Sequence, residues 1–166
     1  MSRFGAFPSC DGVRFCLLAG DARPVALEVQ TGAARGSYAM PPAVDGVSEL
    51  FVPGAATGDR YAYGLAQGPL RPDPAARFLP DGVHGAAQVV DPHAFTWTDG
   101  SWTAPSVLDL VVYELHVGTF TEAGTFAGVR ERLDDLRDLG VTAIELMPVA
   151  DFPGRRNWGY DGVALY

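Results

Sequence analysis

Apolar and polar positions alternate with a period of two in several short runs near the start of the chain. "VRFCLLA" places Val13, Phe15, Leu17 and Ala19 on one face, and "VALEV" does the same with Val25, Leu27 and Val29. "RYAYGL" lines up Tyr61, Tyr63 and Leu65. That period matches strands with one buried face. Asp-Gly, Gly-Asp and Thr-Gly pairs lie between the runs and suit hairpin turns. Short strands at this spacing, with no helical period among them, predict a β-sandwich of immunoglobulin-like type.

From Gly68 the pattern changes. "GPLRPDPAARFLPDGVHGAAQVVDPHAFTWTDGSW" carries proline too often for a helix or a central strand. Its Phe78, Val83, Val89, Val90, Phe95, Trp97 and Trp102 predict an ordered interdomain strap packed on its neighbours. Further on, "DLVVYELHV" and "VTAIELMPV" are near-continuous apolar runs, as in strands buried on both faces. Between them Val129, Leu133, Leu136 and Leu139 recur at helical spacing. Thr125 is placed to cap that helix, and Gly140 to end it in the left-handed conformation. Strand, helix, strand predicts a right-handed βαβ crossover of a parallel sheet or barrel. The expected divisions are 1–67 for the sandwich, 68–108 for the strap and 109–166 for the βαβ unit.

Composition narrows the function. With 48% hydrophobic and 19% charged residues in 166, the chain is globular. A formal net charge of −8 repels polyanions, so no nucleic-acid partner is expected. No run reaches membrane-spanning length and no signal-peptide pattern opens the chain, so a cytoplasmic protein without a membrane partner is expected. Cys10 and Cys16 are too few for a disulfide framework and are read as free thiols. There is no phosphate loop, no GxSxG elbow and no CxxC, so nucleotide and thiol chemistry have no footing. No cofactor is expected.

Three groups of residues invite chemistry. Glu114 and Glu145 fall at similar heights on the two predicted strands, and glycoside hydrolysis needs two carboxylates. Whether they face one another is not fixed by periodicity; the alternative is a pair of structural acids. Glu114 and His116 share a strand face, but no third metal ligand is near, and a hydrogen-bonded structural histidine is the simpler reading. "ADFPGRRNWGYDG" follows the second strand, where ligands bind in parallel α/β folds. Trp158 and Tyr160 offer flat apolar faces, while Asn157 and Asp161 offer hydrogen bonds. A sugar, with an apolar face and a hydroxyl rim, suits that mixture. In the plainer alternative Trp158 is packing and only Tyr160 meets ligand.

"YELHVGTFTEAGTF", "LGVTAIELMPVADFPGRRNWGYDG" and the strap "PDPAARFLPDGVHGAAQVVDP" together resemble the trehalose-releasing branch of the α-amylase superfamily, glycoside hydrolase family 13. The resemblance covers essentially the whole chain. It implies a multi-domain protein: a sandwich of the glycogen-branching-enzyme N-terminal type, the strap, then the first βαβ unit of a (β/α)8 TIM barrel, incomplete within these residues. It implies retaining hydrolysis of the α-1,4 bond next to the terminal trehalose of malto-oligosyl trehalose, or action on another α-1,4-glucan. Malto-oligosyltrehalose synthase is the implied pathway partner. The implied nucleophile and acid/base lie after the fourth and fifth barrel strands, beyond Tyr166, so these 166 residues alone are expected to be inactive. By the same resemblance Tyr160 stacks under the sugar, Trp158 and Asp161 shape that subsite, and Glu114, His116 and Glu145 are structural. Two other readings are a free-standing α-glucan-binding module and a similarly truncated branching or debranching enzyme.

Overall fold

A computed structural model describes residues 3–20, 24–66, 68–157 and 160–165. Contacts divide the chain into two compact units. The first runs through Phe95 and includes Asp151–Pro153 and the segment from Val163; the second holds Thr96–Ala150 and Gly154–Gly162.

The first unit is built from two antiparallel sheets. Strands β1 (Gly5–Pro8), β2 (Gly12–Leu18) and β5 (Val47–Pro53) form one, in the order β1-β2-β5. Strands β3 (Val25–Val29), β4 (Gly36–Ala39), β6 (Arg60–Leu65) and β7 (Ala87–Gln88) form the other, in the order β4-β3-β6-β7. The alternating faces meet as expected. Val13, Phe15 and Leu17 of one sheet share a buried core with Val25, Leu27, Val29, Tyr61 and Tyr63 of the other. The rings of Phe15 and Tyr61 meet edge to face at 4.9 Å between centroids. Cys10 and Cys16 are both free thiols. Burial and the Glu49 carboxylate push the Cys16 thiol up to about 11, which keeps it protonated.

The strap is part of this core through Val89. Ala76, Leu79, Ala87 and Val89 pack with the sandwich residues. Arg71 exchanges both backbone hydrogen bonds with Tyr63, and Val89 bonds to Gly58 and Asp59. The sandwich core therefore draws on more than the first 67 residues. Four of the strap's expected packing residues are largely exposed: Phe78, Phe95, Trp97 and Trp102, at 48%, 65%, 73% and 69%. After Val89 the chain has left the edge of β6, where β7 ends at Gln88.

A buried aspartate pins the strap. Asp73 is 1% exposed and accepts hydrogen bonds from the Tyr61 hydroxyl at 2.7 Å and the Ala75 N–H at 2.8 Å. Burial raises its pKa; the two hydrogen bonds and the nearby Arg77 guanidinium pull the other way and do not prevail. A folded pKa above the unfolded one means that the carboxyl supports the fold most below about pH 4, and that this support fades as pH rises through the folded value. Asp73→Asn keeps an acceptor for Ala75 and a partner for Tyr61. It should melt close to the parent chain at pH 4 and above it at pH 7, by about 4–8 °C per kcal/mol of charge burial relieved. Thermal melts of the two chains across that range check it. A variant that loses ground as pH rises contradicts the assignment.

The second unit carries the parallel pair. Strands β8 (Val112–Leu115) and β9 (Ala143–Leu146) pair in parallel, with Val112 opposite Ala143 and Leu115 opposite Leu146. The connection holds helices α1 (Val117–Phe120), α2 (Phe126–Glu131) and α3 (Leu133–Asp138). The first run is thus a four-residue strand followed by a helical turn, shorter than its apolar pattern predicts. The single expected helix is broken at Arg132, whose backbone (φ −105°, ψ 3°) leaves the helical region. Its ends agree with expectation. Thr125 Oγ1 accepts from the Gly128 N–H at 3.2 Å, and Gly140 takes a φ of +99° that favours glycine. Of the predicted stripe, Val129 and Leu136 are buried with Leu115 and Val117, whereas Leu133 and Leu139 are exposed. Val112 and Tyr113 are also exposed. Strands patterned for two covered faces here have one partner strand among the described residues and a thin helical cover.

Candidate functional site

Parallel pairing puts the carboxyl ends of β8 and β9 at the same end of the second unit. Two loops start there. His116 directly follows β8, and the backbone of Met147, just past β9, donates to the Leu115 carbonyl at 2.9 Å. The loop after β9 runs on through Asn157, Tyr160 and Asp161. Asp151 and Val163 close it at its base with an antiparallel bridge.

Tyr160 is 73% exposed. Asp161 is exposed, and its backbone N–H donates to Asn157 Oδ1 at 3.4 Å. Trp158 lies outside the described residues, so its placement beside Tyr160 is not described. His116 Nε2 donates to the Asn157 backbone carbonyl at 2.9 Å. The histidine expected to be structural therefore ties the end of β8 to the loop after β9. Among the described residues no group of three or more His, Cys, Asp or Glu could hold a metal ion.

Glu114 and Glu145 are direct register partners. In a parallel pair, register partners point to the same face, so the two side chains are neighbours, both exposed. Two like charges opposite one another weaken a sheet rather than stabilise it. An open groove of about 740 Å³ lies elsewhere in this unit, with Thr121, Glu122, Glu131 and Arg132 among its walls. It contains none of the candidate residues. Asp73 was not among those candidates; its signal was an acid held between two prolines in "RPDPA", which marks a bend without revealing burial.

No family profile matches the chain. Curated relatives do. Over 94% of its length the chain is 47% identical to malto-oligosyltrehalose trehalohydrolase of Saccharolobus solfataricus. Over 99% it is 47% identical to the protein of that name from Deinococcus radiodurans. It spans 27% of the length of each. Among solved structures, a protein from Salmonella typhimurium described as a "putative alpha amylase" superimposes over the whole chain with a TM-score of 0.91 and 42% identity, the chain covering 28% of it. The β-rich fold is that of the N-terminal region of α-amylase-family enzymes. Within that class the chain matches the N-terminal part of the malto-oligosyltrehalose trehalohydrolases, as the resemblance of its motifs implied. No described helix is long and apolar enough to cross a membrane.

Proposed function

We propose that these residues form the N-terminal part of a retaining glycoside hydrolase that releases trehalose from malto-oligosyl trehalose. The observation that carries the reading is 47% identity over nearly the whole chain to relatives of that name in two organisms. In this reading the first unit is an immunoglobulin-like sandwich of the branching-enzyme type, and the β8–β9 pair opens a (β/α)8 barrel. The loop after β9 then lies on the barrel's catalytic face. Tyr160 stacks under the sugar beside the scissile bond, and Asp161 and Trp158 shape that subsite. The nucleophile and the acid/base come from later strands, about 5–5.5 Å apart as retention requires. A synthase that makes malto-oligosyl trehalose supplies the substrate.

The test uses a complete enzyme, with this chain in place of the matching region of the Deinococcus radiodurans relative. The chimera is expected to release trehalose. A folded but inactive chimera counts against the reading. Tyr160→Ala should lower kcat/KM by about 10²-fold with little change in melting temperature, because a stacking ring holds the reacting bond against its carboxylates. Near-normal kcat/KM with an earlier melt would make Tyr160 a packing residue and remove it from the site.

A further inference from the structure

We infer that His116 is a positioning residue for the substrate loop, acting through the Asn157 backbone rather than on substrate. The inference rests on the reading that the loop after β9 meets the sugar. Its support is a continuous chain of hydrogen bonds. A carbonyl only accepts, so the contact at 2.9 Å places the proton on His116 Nε2. Asn157, held through its backbone, then offers its side-chain Oδ1 to the Asp161 N–H, next to Tyr160. One imidazole at the end of β8 is thus linked through Asn157 to the backbone of Asp161, the residue that follows Tyr160.

Two further features fit this geometry. A side chain at Gly118 would bring its Cβ within 3.0 Å of His116 Cε1 and 3.4 Å of Nδ1, so the missing side chain leaves the ring room to lie where it does. His116 Nδ1 is buried and has no hydrogen-bond partner among the described residues. Leaving such a nitrogen buried without a partner is costly, and among the described residues the ring's hydrogen bond is the one at Nε2.

The experiment is made in the same chimera with two substitutions. His116→Gln keeps an N–H near the position of Nε2; His116→Met fills similar space without one. His116→Met should lower kcat by about tenfold or more and speed amide exchange at Asp161, with the melting temperature little changed. His116→Gln should restore both. In a Tyr160→Ala background His116→Met should cost little more, since both act through one loop. Unchanged exchange at Asp161 in His116→Met, or an undiminished cost in the Tyr160→Ala background, overturns the inference. Should His116→Met fail to fold, His116→Asn, polar but too short to reach the carbonyl, makes the same comparison with His116→Gln. If Tyr160→Ala leaves kcat/KM unchanged while exchange at Asp161 still follows His116, the substrate reading fails and the anchoring role stands.

Discussion

Expressed alone, the 166 residues should release no trehalose from maltotriosyl trehalose and no glucose from maltodextrin. The loss relative to a complete enzyme should exceed about 10⁶-fold, the lower end of enzymatic rate enhancement. The reason is chemical. Retaining hydrolysis forms a covalent glycosyl intermediate on one carboxylate while a second passes the proton, and the resemblance places both beyond Tyr166. The outcome is open to contradiction because Glu114 and Glu145 are register partners on adjacent parallel strands. Such strands lie about 4.8 Å apart, close to the spacing a retaining pair needs. Both acids, however, sit within the strands, short of the carboxyl-end loops where barrel enzymes bind substrate. Turnover by the purified chain that disappears in Glu114→Gln or Glu145→Gln would show that this pair is catalytic after all.

A second large contrast is expected within the chain itself. Amides of β2 and β6 should exchange at least about 10²-fold more slowly than those of β8 and β9 in monomeric material. That ratio corresponds to about 3 kcal/mol in opening free energy. The first unit buries Phe15, Leu27 and Val13 completely and closes its core from two sheets and the strap. The buried cluster of the second unit consists of Leu115, Val117, Val129 and Leu136, and its strands leave Val112, Tyr113, Ile144 and Leu146 exposed. A two-stranded sheet with open edges has little to resist opening. Protection should extend into the strap at Gln88 and Val89, whose N–H groups bond to Phe78 and Asp59. Equal protection in β2 and β8 of a monomer would mean that the second unit is stable by itself, and the account of its missing cover would fall.

The sequence by itself determined what depends on local period and on long motifs. Alternation at Val13, Phe15, Leu17 and at Val25, Leu27, Val29 named the inward faces, because a pleated strand turns every second side chain to the same side. Thr125 and Gly140 marked the helix ends, since capping and a positive φ are properties of single residues in their immediate surroundings. The family motifs named the superfamily and the branch within it. Tertiary structure alone decided which distant groups meet. That Asp73 is buried on Tyr61, that the strap completes the sandwich core only as far as Val89, and that Glu114 faces Glu145 are matters of register and of chain return, which period does not encode. The same holds for His116 and Asn157, separated by 41 residues and joined by one hydrogen bond. Periodicity reports which face a side chain shares with its neighbours in the chain; what lies across from that face depends on how the elements pack.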